Sequence, residues 1–303
     1  MKVLSAQETE ALLPYPALAE ELRAVLADKR ADRASAPPRL HVPLAGGGVL
    51  LLMPASDEML TITKLVTVHS HNVAQGLPSV QAEVLVFDTR TGRRLLWLDG
   101  VTVTARRTAA LSLLAAQMLA PNPTGPLLIV GAGTQGRTHM EAMTQGLGVR
   151  QVYVTSRNLT HAENLAAYGR SVGVDAQAIS RPADVLARTP LIVTATTSST
   201  PVLPAEVRAD AFIAAVGVFQ PDRAELPPDL VRAAQLFVDT LEGARAEAGD
   251  LILAGVDWNR VTPLEEAIAR PRPSDGPVVF KSVGHALWDL AAARLVWSRL
   301  GMG

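Results

Sequence analysis

The 303-residue chain contains no cysteine. Disulfides, thiolate metal ligands and cysteine nucleophiles are therefore excluded. It lacks any uninterrupted apolar run approaching the roughly 20 residues of a membrane span. Its opening, MKVLSAQETEALL, meets Gln7, Glu8 and Glu10 before a long apolar core can form, which does not read as a signal peptide. Charge of one sign is missing too. The 28 basic and 29 acidic residues are well mixed and leave a net charge of −1, so there is no electrostatic footprint for nucleic acid or an anionic membrane. No internal repeat, low-complexity tract, HExxH, P-loop lysine or serine nucleophile elbow occurs. These absences lead to the expectation of a cytoplasmic protein acting on small molecules.

What is present is apolar substance. Hydrophobic residues make up 48% of the chain, and its length suits two domains with sizeable cores. The first part reads as α+β. Pro16 to Ala31 has helical spacing at Leu18, Leu22, Val25 and Leu26. Strand candidates follow at Leu40–Leu44, Val49–Pro54, Leu60–His69, Val80–Phe87 and Arg94–Leu98, the last two joined as a hairpin through DTRTGRR. Thr104 to Ala120 reads as a long helix, stopped by the proline-rich Pro121–Pro126, which is the predicted domain boundary. After it, apolar strands alternate with helical segments: Leu127–Val130, Val152–Thr155, Leu191–Ala195, Phe212–Val216, Leu236–Val238 and Val278–Phe280. That alternation predicts a parallel sheet covered by helices on both faces. A final apolar helix, Gly284 to Leu300, is expected to return to the first domain.

The stretch PLLIVGAGTQGRTHMEAM places Gly131, Ala132, Gly133, Thr134, Gln135 and Gly136 between an apolar strand and a helix. Gly131 suits the tight turn, Gly133 lets a pyrophosphate approach the backbone, and Gly136 lets helix and strand pack closely. In that context GxGxxG predicts dinucleotide binding. The next strand ends in Ser156, Arg157 and Asn158. An acid there would favour NAD(H). With none present and Arg157 available, NADP(H) is preferred and NAD(H) is the alternative.

Three residues in the first part are out of keeping with their surroundings. Lys64 would share a strand face with Ile62, Val66 and Val68. It is either a desolvated lysine of lowered pKa or an edge lysine reaching for water. Arg107 aligns with Leu111, Leu114 and Met118 and falls in the first turn of the predicted helix, where the dipole disfavours a cation. It reads either as an anchor for a substrate carboxylate or as half of a buried ion pair. Arg106 is expected to face solvent, and Arg39 is unremarkable by itself. His69 and His71 would share a strand face, but no third ligand stands at motif spacing and no metal site is assigned. In the second part, AVGVFQPDRAEL puts Phe219 on a loop after a strand, where a polar group would be expected.

With these residues gathered, the chain resembles the ornithine cyclodeaminase/mu-crystallin family over nearly its full length. The carrying stretches are PPRLHV, KLVTVHSHNVAQGLPSVQAEVLVFDTRTGRRL, VTARRTAALS, LIVGAGTQGRTHMEA, AVGVFQPDRAELPPDLV, EAGDLILAG and VFKSVGHALWDLAAARL. The resemblance implies a homodimer built from a substrate-binding and dimerisation domain (1–121 with 285–303) and a Rossmann dinucleotide-binding domain (122–284). It places the family's carboxylate-binding arginines on Arg39 and Arg107 and its active-site lysine on Lys64. The cofactor-side loops fall around Thr194 and Thr196, Val216 and Gly217, and Ser282 and Gly284. One position departs: the cyclodeaminases carry a catalytic Asp where Phe219 stands. Asp222 and Glu225 are expected to shape that loop or cap the helix at Pro228–Ala234. Phe219 then offers an apolar wall of the substrate pocket. The expected activity is NAD(P)H-dependent reduction of a cyclic imino acid of the pyrroline-2-carboxylate or piperideine-2-carboxylate type. The alternatives are ornithine cyclodeamination, alanine dehydrogenation and a non-catalytic NADP-binding role.

Overall fold

In the computed structural model, which describes residues 1–273 and 276–302, the chain divides into two units. One is Met1–Arg107 with His285–Gly303, the other Thr108–Gly284. The first unit opens with β1 (Lys2–Val3), α1 (Ala6–Ala11) and α2 (Tyr15–Arg30). A capping box between Ser5 and Glu8 starts α1. As the spacing predicts, α2 buries Leu18, Leu22, Val25 and Leu26. Five strands follow: β2 (Leu40–Leu44), β3 (Gly48–Ser56), β4 (Leu60–Val68), β5 (Val80–Asp88) and β6 (Arg94–Asp99). They pair as an antiparallel meander, with β1 parallel to β6, in the order β1-β6-β5-β4-β3-β2. Alternation sends Leu60, Ile62, Lys64 and Val66 of β4 to one buried face, with Lys64 in register between Met53 and Val84.

Helix α3 (Gly100–Leu119) starts four residues earlier than the sequence predicts. Asp99 accepts from the Thr102 amide at 2.7 Å and caps it, whereas the β-branched Val101-Thr102-Val103 reads locally as extended chain. The Pro121–Pro126 stretch follows the end of this helix, and the division between the two units lies within the helix.

The second unit contains β7 (Leu127–Val130), α4 (Thr134–Leu147), β8 (Gln151–Thr155), α5 (Leu159–Ser171), β9 (Asp175–Ala178), β10 (Leu191–Thr194) and β11 (Phe212–Ala215). It continues with α6 (Pro228–Ala233), β12 (Gln235–Val238), α7 (Leu241–Glu247), α8 (Gly249–Ala254), β13 (Val261–Pro263), α9 (Leu264–Ala267) and β14 (Val278–Lys281). The eight strands are all parallel, in the order β13-β12-β14-β11-β10-β7-β8-β9. The order reverses between β7 and β10. This is the doubly wound pattern in which ligands bind beyond the carboxyl ends of the strands at the reversal. The chain then returns to the first unit as α10 (Ala286–Arg299), which packs on α2, β3 and β4. Among the described residues no helix is long and apolar enough to cross a membrane.

Candidate active site

Lys64 lies on β4, inside the sheet, and is 1% exposed. The edge-lysine reading is thereby overturned, because the strand is an inner one and the side chain is enclosed instead of reaching out at a sheet edge. The Nζ atom pairs with Asp289 Oδ2 at 2.8 Å and donates to Thr104 Oγ1 at 3.3 Å. Burial pushes its pKa down from 10.5 to about 8. The Asp289 carboxylate resists that shift, and the charges of Arg107 and Arg39 add to it. Arg107 is 5% exposed, and its Nε pairs with Asp289 Oδ1 at 3.3 Å. It sits two turns inside α3, so the first-turn dipole argument for it fails, although its inward direction is as expected. The buried ion pair is present, and it engages the Nε–H alone among the five guanidinium donors in the contacts described. Arg39, half-buried ahead of β2, brings the third positive charge. Lys64 and Arg107 thus share the one Asp289 carboxylate, and the positive charge of Arg39 reaches Lys64 from the chain ahead of β2.

Arg106 corrects an expectation. It is 7% exposed, donates to the Leu13 carbonyl at 2.7 Å, pairs with Glu10 at 3.1 Å and stacks 3.9 Å over the Tyr15 ring. It therefore fastens α3 to the N-terminal helices instead of facing solvent. Asp289 was missed. The signal was available, since an acid stands inside the apolar run ALWDLAAARLVW, and in the structure its exposure is 0%.

In the second unit, parallel pairing brings the ends of β14, β11, β10, β7 and β8 to one edge of the sheet. Ser282 and Gly284, Val216 and Gly217, Thr194 and Thr196, the glycine loop, and Ser156 to Asn158 all follow those ends. The loop fits a dinucleotide. Gly131 has φ +113°, and a Cβ there would lie 2.3 Å from the Ala195 carbonyl oxygen. A Cβ at Gly136 would lie 2.0 Å from the Gly131 oxygen, whereas one at Gly133 would meet nothing within 4 Å. Gly133 precedes α4 without a side-chain cap, so the first amides of that helix are left for a phosphate. Thr134 and Gln135 open α4. The Gln135 carbonyl is bonded to His139 Nδ1 at 2.7 Å. Beside Ala132, Gly133 and Thr134 lies a depression of about 480 Å³ that Arg137 also lines. This second cation is paired with Glu141 at 2.9 Å and was not foreseen. Arg157 itself is exposed.

Several of the expected cofactor residues already have partners. Asn158 accepts from the Thr160 amide and caps α5. Glu225, fully buried, accepts from the Thr196 amide at 2.7 Å, the Thr196 hydroxyl at 2.8 Å and the Gly217 amide at 2.8 Å. Asp239 accepts from the Ser282 hydroxyl at 2.8 Å and the Gly284 amide at 2.7 Å. Any cofactor contact from these residues uses their remaining atoms. Glu225 thus shapes the loop, as one expectation held, and it does not cap α6, whose first turn has no side-chain cap. Burial pushes its carboxyl pKa up, opposed by Lys281 and by the Thr196 hydrogen bonds. Lys281, also buried, pairs with Asp250 at 2.8 Å and donates to the Val218 carbonyl, which fixes the backbone just before Phe219. Phe219 itself is 49% exposed. Strand β4 ends at Val68, so His69 and His71 do not share a strand face. Among the described residues no three acids or histidines gather as a metal site.

The profile of the ornithine cyclodeaminase/mu-crystallin family matches residues 1–303. The chain belongs to this family. Delta(1)-pyrroline-2-carboxylate reductase 1 of Burkholderia multivorans is 41% identical over 297 residues, covering 96% of this chain and 94% of its own. The ketimine reductase mu-crystallin of Mus musculus is 38% identical over 274 residues, covering 88% and 86%. Among solved structures, Thermococcus litoralis Delta(1)-pyrroline-2-carboxylate reductase in complex with NADH and L-proline matches with a TM-score of 0.92 at 27% identity, covering 99% of this chain and 97% of that one. For a member of the ornithine cyclodeaminase/mu-crystallin family, the stretches EAGDLILAG and VFKSVG now have a physical reason. They supply Asp250 and Lys281, the buried pair that holds the loop of Phe219.

Proposed function

We propose that this chain is an NAD(P)H-dependent reductase of cyclic ketimine acids, with Δ1-pyrroline-2-carboxylate and Δ1-piperideine-2-carboxylate as the substrate class. The observation that carries this reading is the buried Lys64, poised near neutral pH beside two arginines. Arg39 and Arg107 hold the substrate carboxylate. Lys64, as an ammonium, donates a proton to the ring nitrogen. Gly131–Gly136 would hold a nicotinamide dinucleotide, which would supply the hydride for the imine carbon. The C=N bond becomes CH–NH, Lys64 is left neutral, and solvent restores its proton. Phe219 stands on its loop where a cyclodeaminase would have an acid, so the group that would activate the amines of ornithine is replaced by an apolar ring.

Arg157, with no acid beside it at the end of β8, supports NADP(H) over NAD(H). A homodimer is supported by the face of the first sheet opposite Lys64. There Leu52, Leu65 and Leu85 are only half-buried and Trp97 is 37% exposed. The balanced charge, with 28 basic and 29 acidic residues, supports a cytoplasmic site of action. Steady-state assays with the two cyclic imines, run with NADPH and with NADH, test the reading. Imine-dependent oxidation of the reduced cofactor is expected. Proline and ammonia formed from ornithine, without imine reduction, would overturn it in favour of the cyclodeaminase.

A further inference from the structure

We infer that Asp289 is the positioning residue of this site: one buried carboxylate bridges two cations from two other elements, keeping Lys64 an ammonium and setting the direction of Arg107. Its Oδ2 lies 2.8 Å from Lys64 Nζ on β4, and its Oδ1 lies 3.3 Å from Arg107 Nε on α3. The carboxylate cannot drift. Asp289 is fully buried in the first turns of α10, between Trp288 and Leu290, which are buried too. Burying a lone charge in such surroundings is costly, and the two paired cations offset that cost. By the same argument the carboxylate holds the lysine charged.

Among the described residues no other acid pairs with Lys64. Lys64 faces the positive charges of Arg107 and Arg39, and both act against its protonation. The other acids near α10 are committed elsewhere. Asp28 and Glu21 from α2 and Asp57 from the β3–β4 turn gather on Arg294, further along the helix. Of the influences on Lys64, burial, Arg107 and Arg39 all pull its pKa down, and Asp289 pulls it up. A lysine that loses this partner gives up its proton at lower pH, so a larger share of it is a neutral amine with no proton to give. The inference uses the reductase reading for what Lys64 does, but not for what Asp289 does to Lys64.

The chain has only four lysines, Lys2, Lys29, Lys64 and Lys281. Protein labelled with 13C at lysine Cε therefore gives four resonances, and Lys64→Met assigns the one of interest. In the wild type this signal should titrate near pH 8. In Asp289→Asn the midpoint should fall by about one pH unit or more. Turnover of the cyclic imine by Asp289→Asn should drop at least about fivefold at pH 8 and recover in part near pH 6, where the amine is charged again. Asp289→Glu, which keeps the charge, should keep the midpoint near that of the wild type and retain more activity than the amide.

An unchanged Lys64 midpoint in Asp289→Asn overturns the inference. So does a loss of turnover by the same factor at every pH, which a purely structural residue would give. If the amide variant does not fold, a Lys64 midpoint lowered in Asp289→Glu overturns it equally. The titration needs no substrate, so failure of the imine assay rejects the reductase reading and leaves this result standing.

Discussion

Lys64 and Arg107 were legible because each conflicts with its own pattern: a cation falls where strand or helix periodicity asks for an apolar side chain. That conflict is visible without a structure, because strand faces alternate and helical stripes repeat at fixed spacing. Asp289 carried the same kind of clue, but in a helix so apolar that a single acid looked incidental. Arg106 was misread because its partners, Glu10, Leu13 and Tyr15, lie more than 90 residues away in sequence. A consequence follows for activity. In the proposed mechanism Lys64 acts as an ammonium, and burial holds its pKa down at about 8, so kcat/KM for the cyclic imine should fall as pH rises through that value. Lys64→Met should lose about 10²-fold or more in kcat and with it the alkaline limb. A pH–rate profile of both proteins checks this, and an unaltered limb in the variant assigns that titration to another group.

Among the elements, those with a strong apolar signal came out at nearly the right residues: β2, the β5–β6 hairpin, α2, β7 and α10. Edges were harder. β9 (DAQA) has little apolar content and β13 has three residues ending in proline. They lie at opposite ends of the parallel sheet, where one side of a strand needs no partner. The link between α3 and α4 was invisible in the sequence. His139 is buried, with Nδ1 at 2.7 Å from the Gln135 carbonyl and Nε2 at 2.9 Å from Ser112 Oγ. Burial lowers its pKa from 6.5 to about 4, against the pull of the Gln135 hydrogen bond. The folded state therefore takes up this proton later than the unfolded chain does. Its contribution is complete above about pH 6.5 and is lost as pH falls toward 4. Thermal midpoints measured over that range should drop for the wild type and drop less steeply for His139→Gln. Parallel curves would assign the acid sensitivity to other groups.

For the whole molecule, the change of texture along the chain revealed two architectures, an antiparallel meander and a parallel doubly wound sheet. The place where one unit gives way to the other was less readable, because α3 belongs to both and carries no break in its sequence. The half-buried face of the first sheet leads to a test at this scale. Leu65→Glu, at the centre of that face, should turn a dimer into a monomer in light scattering after size-exclusion chromatography, since a desolvated, unpaired carboxylate costs several kcal/mol at such an interface. A monomeric wild type would refute the dimer.

The origin of α10 also bears on how the protein is made. A ribosome delivers Lys64 well before Asp289, with the whole parallel-sheet unit emerging between them. Throughout that interval the first sheet lacks both the helix that covers it and the carboxylate that answers its buried ammonium. Lys64 must remain hydrated until synthesis reaches α10. Assembly of the Lys64–Asp289 pair is thus coupled to synthesis of α10, and a nascent chain that has already delivered its parallel-sheet unit still lacks the carboxylate that pairs with its lysine.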